Sequence, residues 1–165
     1  MATPRLRLMP VRDGDLPALL TLFNEPEVGR YLLDGHPVSQ AWVQAEIAAS
    51  RDRFASSSAG LWAIREHAED TLLGVVGYRP FFDPPELQLV YALRPSSWGR
   101  GLATEAARAA LDHGFEALAF DEVRAATDAP NEASIRVLEQ LGMAPWKTTP
   151  GTPWDTIFFR VRREE

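Results

Sequence analysis

Trp98-Gly99-Arg100-Gly101-Leu102-Ala103-Thr104-Glu105-Ala106 is the stretch that decides how this 165-residue chain is read. The run before it, Leu87–Leu93, is strand-like, and the run after it, from about Ala103 to Phe120, is helical. Ala103, Ala107, Ala110, Leu111, Gly114, Phe115 and Leu118 fall on one stripe of that helix. A strand therefore runs into a glycine-rich turn that opens a helix. The first amides of a helix have no internal acceptor and carry the positive end of its dipole. Glycines let the backbone approach an anion with no Cβ in the way. Such a turn suits phosphate groups, and Arg100 places a cation beside it. A tight strand-to-helix connection without any ligand would use the same residues.

The remaining pattern supplies the frame. Leu6 to Val11 reads as a first strand, and Asp13 and Asp15 offer caps for a helix to about Phe23. Ser39 caps a second helix carrying Val43, Ile47 and Phe54. Leu61–Arg65, Leu72–Tyr78 and Leu87–Leu93 form an antiparallel meander. Val123–Thr127 is a short strand, and Asn131–Leu141 is a helix closed by Gly142. Two strands follow near Trp146–Thr149 and Thr156–Val161. The sum is a single α/β (α+β) domain spanning residues 1–165.

Composition narrows the classes. Hydrophobic residues make up 45% and charged residues 24%, a globular balance. No apolar run approaches the ~20 residues of a membrane helix, and the first ten residues carry no secretory signal. Without cysteine there is neither disulfide nor catalytic thiol nor thiolate zinc site. No metal is expected, and the expected location is cytoplasmic. The net charge of -6, with no dense basic cluster, argues against nucleic acid. A dinucleotide-binding Rossmann turn is the rival reading. Gly99 and Gly101 match its first two glycines and Asp128 could imitate its ribose-binding acid, but Thr104 stands at the third glycine. Only 37 residues follow Asp128, too few for the further βα units of a doubly wound sheet.

From Leu87 to Met143 the chain resembles the GNAT acetyltransferase superfamily, most closely its RimJ/RimL-type N-acetyltransferases. The resemblance rests on WGRGLATEA, on Asn131-Glu132-Ala133-Ser134 about thirty residues later, and on Leu141-Gly142-Met143. It implies a mixed, mostly antiparallel central sheet of about seven strands flanked by about four helices and splayed at an acetyl-coenzyme A site. The amides of Gly99, Arg100, Gly101, Leu102, Ala103 and Thr104 would hold the coenzyme's pyrophosphate. The strand end Tyr91, Ala92 and Leu93 would pair with its pantetheine arm. Asn131 would bond that arm or simply cap its helix. The acceptor would be an amine, on a small molecule or a protein N-terminus, attacking directly in a ternary complex; relatives often form homodimers. A coenzyme A-binding domain without catalysis is the alternative.

The departures from the family pattern concern catalysis. Many members protonate the leaving thiolate with a tyrosine where this chain has Leu138; Ser134 is the expected substitute. The strand carboxylate of many relatives is Gln88 here, so Glu86, two residues earlier, is the expected base. His36 and Asp83 are weaker candidates, and His113 is expected to be structural. Trp98 is expected to pack under the phosphate turn. Tyr31, Trp42, Trp146 and Trp154 could line an acceptor pocket or belong to the core.

Overall fold

The computed structural model describes residues 1–164 as seven strands and five α-helices. In chain order these are β1 (Leu6–Pro10), α1 (Leu16–Asn24), α2 (Pro26–Leu32), α3 (Gln40–Ser57), β2 (Leu61–Glu66), β3 (Gly74–Phe81), β4 (Glu86–Leu93), α4 (Leu102–Glu116), β5 (Glu122–Asp128), α5 (Glu132–Gln140), β6 (Ala144–Thr149) and β7 (Thr156–Arg162). The strands form two antiparallel sheets, in the orders β1-β2-β3-β4 and β5-β7-β6. β4 and β5 run beside each other, yet among the described residues no backbone ladder joins them. The expected single mixed sheet is thus divided at the expected splay. No helix among these residues is long and apolar enough to cross a membrane.

Alternation decides which face each strand buries. Along β5, Val123, Ala125 and Thr127 are buried, and their neighbours are only partly so. Val123 and Ala125 join a core with Leu102, Ala106, Ala107, Ala110 and Leu111 of α4. The even-numbered residues of β5 therefore face the other side, where α1 to α3 cover a second core of Leu19, Leu22, Val28, Val43, Ile47 and Val75. Small residues on α4 bring it close to the sheet. Tyr78 of β3 reaches Ala110 and donates its hydroxyl to the Ala110 carbonyl at 2.8 Å. Gly114 is the residue that makes room for that ring.

Polar links lock the elements together. Ser39 caps α3 by accepting from the Trp42 amide at 3.1 Å. Ser50, buried on the same helix, accepts from the Leu61 amide at 2.8 Å and ties α3 to β2. Asp15 is buried in an ion pair with Arg65 and also accepts from the Arg12 amide at 3.0 Å. Met1 to Arg7 straps the outside of α4: Glu105 accepts from the Thr3 hydroxyl at 2.6 Å, the Arg5 amide at 2.8 Å and Arg5 Nε at 2.7 Å. Burial alone would raise the Glu105 carboxyl pKa, but these bonds and the Arg5 charge hold it below the usual range.

Three expectations needed correction. A fifth helix, α2, adds to the four expected; it opens on Pro26, and proline is at home in the first turn of a helix. Leu72 and Leu73 precede β3 instead of opening it. Trp98 does not pack under the turn: the residue is 49% exposed and its indole N–H donates to the Leu93 carbonyl at 2.8 Å.

Gly114 gives a test of the α4 contact. Alanine normally stabilises a helix interior by about 1 kcal/mol over glycine. Here a Cβ would strike the Tyr78 hydroxyl. Gly114→Ala is expected to lower stability by about 1–3 kcal/mol in urea denaturation. Adding Tyr78→Phe should recover part of that loss, and simple additivity of the two changes would dismiss the contact.

Candidate active site

A cavity of about 670 Å³ fills the gap between β4 and β5, within the range of small-molecule sites. Its walls are the ends of β4 and β5, the starts of α4 and α5, and one side of α2. At one end lies the glycine turn. Gly99 and Gly101 have φ of 77° and 74°, a left-handed conformation that glycine adopts without strain. Among the described residues, the backbone N–H groups of residues 99–104 donate to no protein acceptor; the first internal bond of α4 is from Glu105 to the Gly101 carbonyl at 3.1 Å. Gly99, Gly101, Leu102, Ala103 and Thr104 all line the cavity. Free amides, a helix N-terminus and two unhindered glycines make an anion cradle.

Arg100 does not line it. Its guanidinium is paired with Glu66 of β2, and its carbonyl accepts from Arg5 at 2.8 Å. The arginine thus fastens the turn to β2 and to the N-terminal strap.

The open edge of β4 forms the next wall. The Arg94 amide donates to the Leu73 carbonyl at 2.8 Å, which fixes the antiparallel alternation. The polar groups of Ala92 therefore point to β3, and those of Tyr91 and Leu93 point into the gap. Trp98 occupies the Leu93 carbonyl. The Tyr91 N–H and C=O and the Leu93 N–H are the groups left for an extended ligand, while Ala92 supplies only apolar surface.

Across the gap stands α5. Asn131 accepts from the Ser134 amide at 3.2 Å, the geometry of a helix N-cap, and it also lines the cavity. Ser134 Oγ lies 2.8 Å from the Tyr91 hydroxyl, which can also donate to the Ser134 carbonyl at 3.1 Å. Burial pushes the Tyr91 hydroxyl pKa up to about 12, against the lowering effect of the Ser134 bond, so the phenol remains a proton donor at neutral pH. When it donates to Ser134 Oγ, the serine proton is free to point elsewhere in the cavity. The Tyr91 ring was not anticipated in this role; its place on the same strand face as Leu89 and Leu93 was the available signal. Leu138 is buried and presents only methyl groups.

Glu86 lies at the start of β4, outside the cavity wall. Its carboxylate meets Arg124 of β5 at 3.3 Å and accepts from Gln88 Nε2 at 3.3 Å. Gln88 is buried and its Oε1 has no partner. His113 stacks edge-on against Trp62 at 5.2 Å, away from the cavity, and burial lowers its pKa. Among the described residues, no group of His, Asp and Glu side chains is placed to hold a metal ion.

The far end of the cavity belongs to α2, with the β6–β7 loop behind it. Tyr31 lines it and faces Trp154 at 6.4 Å between ring centres. The loop is fastened to the end of β5 by the Ala129 amide, which donates to the Asp155 carbonyl at 2.9 Å. Trp42 packs edge-on against Phe23, and Trp146 against Phe158.

The sequence model for the acetyltransferase (GNAT) domain matches residues 5–144. The YkkB protein of Bacillus subtilis is 33% identical over 153 residues, covering 90% of this chain and 87% of that one. The uncharacterized N-acetyltransferase YoaA of the same species is 26% identical, covering 98% and 95%. Among solved structures, an acetyltransferase from Agrobacterium tumefaciens superposes with a TM-score of 0.84 at 24% identity, over 99% of this chain and 94% of that one. A RimL ribosomal L7/L12 alpha-N-protein acetyltransferase in complex with coenzyme A superposes with a TM-score of 0.82 at 15% identity, over 98% and 96%. The anion cradle, the open strand edge and a domain match over most of the chain lead to one conclusion: this chain belongs to the GNAT acetyltransferase family and is an acyltransferase.

Proposed function

We propose that this protein transfers the acetyl group of acetyl-coenzyme A to a primary amine, on a small molecule or a protein N-terminus, by direct attack within a ternary complex. The observation that carries this reading is the cavity between β4 and β5, which joins the anion cradle at α4 to the Tyr91–Ser134 pair. The fit is chemical as well as spatial. A diphosphate needs several converging N–H donors, and residues 99–104 leave theirs unpaired. A pantetheine arm carries amides that can extend a strand edge, and the Tyr91 backbone faces the gap.

Acetyl-coenzyme A would supply an activated acetyl thioester; the protein's residues do the rest. The cradle fixes one end of the donor, and the β4 edge aligns its arm. The Tyr91 N–H is the donor closest in type to an oxyanion hole, pointing where charge develops on the carbonyl oxygen. Ser134, backed by the Tyr91 hydroxyl, passes a proton to the departing sulfur. Holding both reactants in one slot supplies several kcal/mol with no nucleophile on the enzyme. The proton acceptor for the amine is a separate question, because Glu86 is already engaged with Arg124.

Calorimetry should show that acetyl-coenzyme A binds and NAD does not; tight NAD binding without coenzyme A binding would overturn the reading. Gly101→Val should weaken coenzyme binding more than tenfold while the protein still unfolds cooperatively. The positive φ at this position strains a branched side chain and distorts the cradle. Normal coenzyme binding by folded Gly101→Val would remove the turn from the site.

Ser134→Ala should lower kcat about 10- to 100-fold with little change in KM for acetyl-coenzyme A, as expected for a bond that strengthens only as charge leaves on sulfur. Tyr91→Phe should give a smaller loss of the same kind. An unchanged kcat in Ser134→Ala, with chemistry rate-limiting, would return Ser134 to a structural role.

A further inference from the structure

Asp128 ends β5 on the side of the strand that faces α2, opposite the side packed on α4. It lines the cavity. Its backbone is used: the carbonyl accepts from the Asn131 amide at 2.9 Å and shapes the turn into α5. Its side chain is not. Oδ2 is buried from solvent and has no hydrogen-bond partner. No arginine or lysine pairs with it among the described residues. A carboxylate oxygen withdrawn from water without a donor is costly and calls for a partner that the folded chain does not provide.

The surroundings say what kind of partner fits. Tyr31 lines the same cavity and packs against Trp154, whose loop is fixed to the residue after Asp128. An aromatic ring and an unpaired carboxylate lining one cavity favour a cation. The charged groups nearby are Glu27 and Arg30 on α2, Asp34 in the turn after it, Glu132 and Arg136 on α5, and Asp155 in the loop. Arg30 is spread over the outer side of the Tyr31–Trp154 pair, and Arg136 lies 3.7 Å from Glu132. Neither supplies the missing donor.

We infer that Asp128 receives the acceptor's ammonium group and takes its proton, with Tyr31, backed by Trp154, lining the path by which the amine enters. This rests on the acetyl-transfer reading above. The ammonium gives one proton to the Asp128 carboxylate and becomes a neutral amine. The nitrogen lone pair forms the C–N bond to the acetyl carbon as the C–S bond breaks and its electron pair leaves on sulfur. Nitrogen's second proton goes to sulfur by way of Ser134. Asp128 then returns its proton to solvent. Desolvation, with the Asp34 charge adding to it, raises the Asp128 pKa above the usual carboxylate value. That brings its affinity for a proton nearer to an amine's than an exposed aspartate's.

The test uses the full-length protein with glycinamide and a tetrapeptide amide as acceptor probes, following free coenzyme A from pH 6 to 9.5. Asp128→Asn should lower kcat/KM for the amine about 100-fold near pH 7, and the deficit should shrink below about tenfold at pH 9.5, where free amine exists without a base. Its affinity for coenzyme A should stay within about twofold of wild type by calorimetry. Asp34→Asn should move the acidic limb of the profile to lower pH, because the carboxylate then ionises more easily. A wild-type rate and pH profile in Asp128→Asn would overturn the inference. So would this pH-dependent loss appearing in Glu86→Gln and not in Asp128→Asn. A second readout needs no turnover. In the coenzyme A complex, the carbon-13 carboxyl signal that disappears in Asp128→Asn should shift on titration with glycinamide and not with acetamide. A signal unmoved by glycinamide also overturns it. Wild-type protein that binds acetyl-coenzyme A yet acetylates neither probe counts against acetyl transfer itself, and the carboxyl signal alone then decides on Asp128.

Discussion

Everything in this molecule depends on two neighbouring strands that do not pair. β4 and β5 run side by side, each with a hydrogen-bonded partner on its outer edge only. An unpaired strand edge is a standing cost and a template for pairing. Here α4 packs against both strands from one side and sets their spacing. The Tyr91–Ser134 contact bridges the gap near its middle, and the Glu86–Arg124 ion pair spans it at the start of β4. Trp98 shields one carbonyl of the open edge. The gap is thus held at a defined width and is not a failure of the sheet to close.

α4 is the element through which the halves communicate. Its alanine-rich face lets it sit close to both sheets, and Tyr78 reaches into its backbone. Its first turn forms the cradle. The opposite face is strapped by Thr3 and Arg5 through Glu105, and Arg108 donates to the carbonyls of Gln140 and Leu141 at the end of α5. A cation at that helix end also suits the dipole of α5. The cradle amides are thereby fixed from several directions before any anion arrives, which is what preorganisation requires.

The fold was legible where periodicity and caps agreed. The short strand at Val123–Thr127, the small-residue stripe of α4 and the Ser39 cap all read correctly from sequence. α2 was not legible, because seven residues opening on a proline carry too little helical pattern. The candidate site was legible in its backbone half as elements: the glycine turn, the end of β4 and Asn131 all line one cavity. Its side-chain half was not. Whether Arg100 reaches the cavity depends on Glu66, some 34 positions earlier in the chain, and no local pattern announces that pairing. Glu86 looked available because Arg124 lies on a strand that only the tertiary fold brings near. Asp128 looked like the end of a strand; only the structure shows that its Oδ2 is buried and alone.

The open β4 edge makes part of this protein's secondary structure conditional. A folded chain whose sheet is interrupted has its missing rung supplied from outside, by whatever extended ligand aligns with the Tyr91 backbone. Any such ligand adds to the stability of the folded state in proportion to the logarithm of its concentration over its dissociation constant, about 2.7 kcal/mol at a hundredfold excess. With acetyl-coenzyme A as that ligand, as proposed above, the melting temperature of this protein would gauge how much donor surrounds it. Wherever that supply falls, the β5-β7-β6 half is held to the rest by α4 and the Glu86–Arg124 pair, and the interrupted sheet becomes the seam along which the molecule first comes apart.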